Sequence, residues 1–277
     1  MLRLIESSVA AIERQLVLVA PAQASSFDGF ANVTHDAARH RRLIHEMQRL
    51  RGSIYLDEGN LKRAQLTDDG RHETLEDEES WHLLMTDRRG RVRSCVFYLE
   101  QDGARSIRDL RLRECPLVTC PASQHQVTFA VESEMACARR AGFHFAELGG
   151  WAISSDRRRS PDGLMMTIAL YGLSRLRGGS ICITTANVAH SCSSVLRRIG
   201  GAYLEFEGAP IPSYFDSRYN TAIDLLRFDS RFPNPKYAEL VQMVMTRLAN
   251  VRVISGSLAT AVGPLSVTDA AQSGCAA

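Results

Sequence analysis

The sequence predicts an α/β fold, and three observations support this prediction. Apolar strand-like and helix-like segments alternate between Phe143 and Phe228. A β-hairpin pattern precedes them between Trp81 and Leu99. Hydrophobic residues make up 45% of the 277-residue chain, which is ample for a buried core. We therefore expect one large α/β domain over residues 31–250.

The N-terminal half contains fewer regular patterns. Residues 1–30 start with an amphipathic helix candidate and continue into a loop rich in Ser, Pro and Ala, so we expect an N-terminal appendage. Residues Thr34–Leu50 predict a helix capped by Thr34. Residues Trp81–Thr86 and Val92–Leu99 predict the two strands of the hairpin. Apolar and charged residues alternate over Arg108–Arg113, which predicts a further strand.

The C-terminal half has a clearer order of elements. The patterns predict, in sequence, a helix over Val127–Ala141 that ends at Gly142, a strand over Phe143–Ile153, a helix over Leu164–Leu176, a strand over Ser180–Ala186, a short helix that ends at Gly200 and Gly201, a strand over Thr221–Phe228 and a helix over Asn234–Leu248. Small residues dominate from about Gly256, so we expect a flexible tail over residues 251–277.

Charge and cysteine content limit the classes of partner. The net charge is only +2, which gives no overall field for nucleic acid. Seven irregularly spaced cysteines favour reduced thiols and a cytoplasmic protein. Cys115, Cys120 and His125 match no standard zinc spacing, so we expect no metal site. The apolar stretch Leu16–Ala24 is too short to span a bilayer, and we expect no transmembrane segment.

A basic turn separates the predicted strand and helix around residue 160. Arg157, Arg158 and Arg159 precede Gly163, where the helix is expected to begin. Backbone N–H groups at a helix start attract anions. Three arginines alone are more typical of a solvated loop, but their place between a buried strand and a helix start favours an anion site.

Glu147 is the candidate general base. It lies between Ala146 and Leu148 in an apolar strand, so desolvation could raise its pKa into a catalytically useful range. The alternative is that Glu147 faces solvent or pairs with an arginine. Next to it, Gly149 and Gly150 predict a β-bulge that lets a ligand approach the backbone.

These motifs together resemble the core of the GNAT superfamily of acyl-CoA-dependent N-acyltransferases. Residues at three places of the family pattern carry the resemblance: the basic turn Arg157–Arg159 with Gly163, the Asn at Asn187, and Ile199, Gly200 and Gly201 at the hydrophobic-Gly-Phe element. Leu196 stands where many members have a tyrosine that protonates the leaving thiolate. The resemblance implies a mixed, mostly antiparallel sheet flanked by helices.

The same resemblance implies acyl-CoA or acyl-carrier protein as a co-substrate, with no permanently bound cofactor. It assigns carrier binding to the basic turn and to the following positions: Trp151, Ala152, Ile153, Arg157, Arg158, Arg159, Gly163, Leu164 and Asn187.

A narrower resemblance is to acyl-homoserine-lactone synthases and long-chain N-acyl amino acid synthases. Arg51, Tyr55, Asp77 and Glu147 match functional elements of those families. The resemblance implies that Arg51, Tyr55, Asp77 and Gly149 form the amine site, and it predicts an amino acid or related small molecule as acceptor. The alternatives are a catalytically inactive CoA-binding or regulatory protein, or a nucleotide-binding protein, which the lack of a Gly-rich fingerprint disfavours.

Overall fold

The computed structural model describes residues 15–158, 160–189 and 192–257. The described strands are β1 (Leu16–Val19), β2 (Val33–His35), β3 (Trp81–Thr86), β4 (Val92–Glu100), β5 (His144–Ile153), β6 (Ser180–Asn187), β7 (Ala202–Tyr203), β8 (Glu205–Phe206), β9 (Ala209–Pro210), β10 (Tyr214–Asp216), β11 (Thr221–Asp229) and β12 (Arg252–Ser255). The described helices are α1 (Ala37–Asp57), α2 (Pro116–Thr119), α3 (Pro121–Ala141), α4 (Asp162–Leu176), α5 (Cys192–Ile199) and α6 (Ala238–Leu248).

One large mixed sheet dominates the fold. Its strand order is β10-β11-β6-β5-β4-β3-β1-β12-β2, with β7 paired to β11, while β8 and β9 form a separate hairpin. Strand β5 is parallel to β6, and β12 is parallel to both β1 and β2. The other pairs are antiparallel. The predicted mixed, mostly antiparallel sheet is therefore confirmed.

Helices cover both faces of the sheet because side chains alternate between the faces along each strand. In β1, Leu16 and Leu18 pack into a core with α4 and α6, whereas Val17 and Val19 pack against α1. Helix α3 covers the same face as α1, further along the sheet. None of the described helices combines the length and apolar character needed to cross a membrane.

The sheet extends beyond the predicted domain limits at both ends. Residues Leu16–Val19, expected in an appendage, are buried between β3 and β12. Residues Arg252–Ser255, expected in the tail, form that partner strand. The apolar run is a strand buried on both faces, so it shows no alternation in the sequence. The remaining predicted appendage and tail, residues 1–14 and 258–277, lie outside the described residues.

Two further predictions need correction. Helix α1 begins at Ala37 and is capped by Asp36, whose carboxylate accepts a hydrogen bond from Arg39 N at 2.9 Å, whereas Thr34 belongs to β2. The strand expected over Arg108–Arg113 is wrong. Two 3₁₀ turns, Ile107–Asp109 and Arg111–Glu114, occupy this segment.

Candidate active site

The site begins where β5 and β6 separate. The two strands pair only from His144 to Leu148 on β5 and from Ser180 to Thr184 on β6. Beyond these pairs β5 continues along β4, and β6 continues along β11. Residues Gly149–Ile153 thus have no strand partner on the side that faces β6. Their backbone groups on this side are available to a ligand.

A β-bulge accompanies the separation. Phe97 pairs with Gly149 and Cys95 with Ala152, so β5 carries one residue more than β4 between these pairs. Gly150 has a φ of 67°, a left-handed conformation that favours glycine. A Cβ on Gly149 would lie 2.6 Å from Phe97 Cζ, and one on Gly150 would lie 2.8 Å from Phe97 Cδ1. The predicted bulge is confirmed, and the Phe97 ring requires glycine at both positions.

A cavity of about 930 Å³ fills the opening between the strands. We call it the donor cavity, bordered by β5, β6, the end of α1 and the starts of α4 and α5. Predicted site residues account for much of its lining: Tyr55, Gly149, Trp151, Ala152, Ile153, Arg158, Gly163, Leu164 and Asn187. The structure therefore brings the predicted carrier residues and part of the predicted amine site to one place.

The two described arginines of the basic turn, Arg157 and Arg158, already have acidic partners. Arg157 Nη1 donates to Asp162 Oδ1 at 3.4 Å and does not line the donor cavity. Arg158 lines this cavity and forms an ion pair with Glu58, with Nη2 and Oε1 2.8 Å apart. Arg159 lies outside the described residues. An anion in the cavity would therefore compete with Glu58 for Arg158.

Arg198 is a cavity residue that the sequence analysis did not identify. It lies near the end of α5 and lines the donor cavity. Within the described part of the chain, its guanidinium donates no hydrogen bond. Its only sequence signal is its place beside Arg197 before the glycines that end the helix, a pattern typical of many helix ends. Arg198 adds positive charge to the cavity.

Arg51 and Asp77, predicted in the amine site, lie away from the donor cavity. Arg51 is 1% exposed, and its Nη1 and Nη2 donate to the two Asp77 carboxylate oxygens at 2.9 and 2.7 Å. Gln48 and His82 complete this buried network. Burial alone would raise the pKa of Asp77, but the charge and hydrogen bonds of Arg51 lower it to about 2. Both terminal nitrogens of Arg51 and both carboxylate oxygens of Asp77 are thus engaged in internal contacts.

Glu147 lies in a smaller cavity of about 420 Å³. Its carboxylate accepts hydrogen bonds from Arg111 N at 2.8 Å, from Leu112 N at 2.9 Å and from Gln101 Nε2 at 2.8 Å. Burial raises the pKa of Glu147, while these hydrogen bonds and Arg111 act in the opposite direction. The carboxylate therefore also anchors the 3₁₀ turn that begins at Arg111.

The two cavities meet at four residues, Arg111, Thr185, Tyr219 and Ile223, which line both of them. The smaller one, which we call the acceptor cavity, is bordered by β10 and by the 3₁₀ turns Leu75–Asp77 and Arg111–Glu114. A group held between β5 and β6 is thus accessible from two sides. This arrangement suits a reaction between two separately bound substrates.

The donor cavity contains hydroxyl and thiol groups although Leu196 replaces the expected tyrosine. Tyr55 and Tyr219 both line it, with their ring centres 6.3 Å apart. Cys192 lines it as well, and burial raises the pKa of this thiol to about 12. The thiol is therefore protonated at neutral pH. His190, which the sequence places near Cys192, lies outside the described residues.

The buried network around Asp77 predicts a loss of stability in mild acid. Burial lowers the pKa of His82 and of His72 from 6.5 to about 4. Between about pH 4 and pH 6.5 the unfolded chain binds more protons than the folded one. The stability that the neutral histidines contribute is therefore fully present above pH 6.5 and is lost as the pH falls toward 4. Each histidine should contribute a slope of up to about 1.4 kcal/mol per pH unit.

Urea unfolding at several pH values between 7 and 4.5 measures this slope. His82→Gln should reduce this slope by up to about 1.4 kcal/mol per pH unit relative to the parent protein, which corresponds to the uptake of one proton fewer on unfolding. Equal slopes for the parent and His82→Gln would contradict the assignment.

Comparisons with known proteins were made at the level of sequence and of structure. No family model matches the chain, and no curated protein matches it. Solved structures do match. The CoA-dependent acyl-homoserine lactone synthase BjaI, solved with SAM and isopentyl-CoA, has a TM-score of 0.53 and 13% sequence identity, and the match covers 87% of this chain and 92% of that chain. The BjaI structure with MTA matches equally well.

FeeM, an N-acyl amino acid synthase from uncultured soil microbes, matches at a TM-score of 0.44 and 13% identity over 71% of this chain and 88% of that chain. At 13% identity, the likeness to BjaI shows the fold alone. The chain therefore shares with BjaI an α/β fold, built here on a mixed, mostly antiparallel sheet flanked by helices.

Proposed function

We propose that this protein is an N-acyltransferase, which moves an acyl group from acyl-CoA or acyl-carrier protein to the amine of an amino acid or related small molecule. The observation that carries the proposal is the separation of β5 and β6 at the Gly149–Gly150 bulge. Among the described residues, it leaves the backbone N–H and C=O groups on the β6 side of Gly149–Ile153 without a partner strand, beside a large cavity. Such N–H groups are suited to stabilise the negative charge that develops on a thioester oxygen.

The donor thioester would occupy the donor cavity. Its pantetheine arm would run along Gly149–Ile153, whose backbone can bond to it as a strand would. Its phosphates would lie near Arg158, Arg198 and the start of α4, where Gly163 and Leu164 line the cavity. On binding, Arg158 would exchange Glu58 for a phosphate oxygen.

The acceptor amine would enter from the acceptor cavity. Its nitrogen attacks the carbonyl carbon, a C–N bond forms, and the C–S bond breaks. Glu147, which lines this cavity and has a raised pKa, takes the amine proton directly or through a water. The thiolate leaves into the donor cavity, where the hydroxyl of Tyr219 can supply a proton.

Two observations favour a second candidate function, a catalytically inactive CoA-binding or regulatory protein. Leu196 offers no proton to a leaving thiolate, and Glu147 already accepts three hydrogen bonds. Such a protein would bind CoA without transferring acyl groups. The following experiments separate the two functions.

The first prediction concerns carrier binding. Arg158→Ala combined with Arg198→Ala should weaken CoA binding about 10²- to 10⁴-fold, because each guanidinium would provide a charge-assisted hydrogen bond worth about 1.5–3 kcal/mol. Isothermal titration calorimetry measures the affinity. Arg88→Ala with Arg89→Ala removes the same charge from an exposed hairpin turn and should leave affinity unchanged. If Arg158→Ala with Arg198→Ala bound CoA as tightly as the parent, the phosphates would not bind at this end of the donor cavity.

The second prediction concerns Glu147. Glu147→Gln should reduce turnover about 10²-fold while CoA binding persists, because the glutamine cannot accept the proton. The parental rate should rise with pH along one ionisation, and the variant should lose this dependence. A thermal melt of the variant must accompany the kinetics, since Glu147 also holds the backbone of Arg111 and Leu112.

Gln101→Ala is the matched control. It removes one hydrogen bond that lowers the pKa of Glu147 but keeps the carboxylate, so the pH dependence should persist and move to higher pH. A Glu147→Gln protein that turns over at the parental rate with an unaltered pH profile would assign the base to another residue.

A further inference from the structure

We propose that Arg111 and Glu76 bind the acceptor, with Arg111 holding its carboxylate and Glu76 its ammonium group. This inference rests on the proposed function and replaces the predicted role of Arg51. It assigns the acceptor to the class of α-amino acids and names the pair of side chains that selects them.

Arg111 lies where the two substrates would meet. It lines both the donor and the acceptor cavity. Its guanidinium carbon lies 5.3 Å from the centre of the Phe97 ring, and that ring packs against Gly149 and Gly150 at the bulge. Its backbone N–H donates to Glu147 at 2.8 Å, which fixes the start of the turn. A carboxylate bound to Arg111 would place a neighbouring amine close to the unpaired backbone of β5.

The guanidinium of Arg111 has unused hydrogen-bonding capacity. Its Nε lies 3.6 Å from Glu76 Oε1, too far for a hydrogen bond, and it donates to no other described residue. The guanidinium groups of the other two candidate arginines already bind a carboxylate in a bidentate way. Arg51 forms its bidentate pair with Asp77, and Arg218 donates to both Asp216 carboxylate oxygens, at 3.2 and 2.8 Å. Of these three arginines, Arg111 is the one whose fork can receive a substrate carboxylate.

Among the acids that line the acceptor cavity, Glu76 also has unused hydrogen-bonding capacity. Its carboxylate accepts no hydrogen bond from the described residues and is 21% exposed. The other acids that line this cavity have donors: Glu73 from Arg71, Glu114 from Arg218, Glu147 from Gln101 and two backbone N–H groups, and Asp216 from Arg218. Glu76 is therefore the carboxylate best able to receive a substrate ammonium group.

An α-amino acid complements this pair because it carries an ammonium and a carboxylate group on one carbon. Binding it would replace the weak contact between Arg111 and Glu76 with two charge-assisted hydrogen-bonded contacts. The ammonium group then releases one proton to solvent to become the neutral amine, and this amine passes its second proton to Glu147 as it attacks. An amine without a carboxylate would leave Arg111 unmatched in a partly buried site, which disfavours that substrate. The pair thus provides a physical basis for selecting amino acids over simple amines.

The test compares an amino acid with its decarboxylated amine as acceptors, at one acyl-CoA concentration. The parent should prefer the amino acid by about 10²-fold in kcat/KM. Arg111→Gln should lower kcat/KM for the amino acid relative to kcat/KM for the decarboxylated amine by about 10²-fold, which removes the preference. Arg111→Lys keeps the charge but loses the fork, and it should recover only part of the preference.

Arg113→Gln is the matched control, because Arg113 lies in the same turn, is exposed and lines neither cavity. It should behave like the parent. Glu76→Gln should raise KM for the amino acid while kcat changes little. Unchanged discrimination in Arg111→Gln, with the decarboxylated amine still a substrate, would overturn the inference and leave the proposed function intact.

Ligand-observed NMR of amino-acid binding separates the two proposals if no transfer occurs. Binding in the parent that is lost in Arg111→Gln and retained in Arg113→Gln would support the acceptor site while contradicting the transferase activity. Absence of amino-acid binding in the parent, together with absence of transfer, would overturn both.

Discussion

The extra residue in β5 is the constraint on which the site depends. It shifts the register between β4 and β5 at Gly149 and Gly150, and β5 and β6 stop pairing at the same level. One local irregularity therefore opens the donor cavity and exposes the backbone beside it. Phe97 holds the bulge by packing on both glycines, so any side chain at these positions would push against the aromatic ring.

The buried ion pair of Arg51 and Asp77 supports this bulge from the α1 side. A Cβ on Gly150 would lie 3.3 Å from Arg51 Nη1, which places the guanidinium directly behind the bulge. Asp77 also accepts a hydrogen bond from Thr74 N at 3.0 Å, which ties the preceding loop to α1. Removing one member of such a buried pair typically costs about 3–5 kcal/mol. Residues that resemble ligand-binding residues in the sequence thus position the site without lining the donor cavity.

The sequence predicted the elements that have local signals. The hairpin β3–β4, strand β5, helix α4 and strand β6 have clear periodicity and turn residues, and they lie where expected. The bulge was also predictable, because two adjacent glycines weaken an apolar strand and so mark a bulge or a close approach of another group to the backbone. The cavity-lining residues from Trp151 to Ile153 followed from the family resemblance once that strand was placed.

Long-range contacts determine what the sequence did not predict. Strand β1 depends on β12, which comes from the opposite end of the chain. The alternating pattern around Arg111 imitates a strand, but Glu147 holds Arg111 and Leu112 in a 3₁₀ turn through their backbone N–H groups. The same holds for the arginines, because the sequence analysis selected Arg51 and not Arg111 as a ligand-binding candidate. Only the fold shows that Asp77 engages the first and that the second has unused donors.

The proposed reaction is the attack of an amine from the acceptor cavity on a thioester held between β5 and β6. Its most direct test is to incubate the purified protein with an acyl-CoA and an amino acid, and to measure thiol release and amide formation together. Thiol and amide should appear in equal amounts, and neither should form without the amino acid. Thiol release without amide, or saturable CoA binding with neither product across panels of acyl-CoAs and amines, would contradict the proposed reaction.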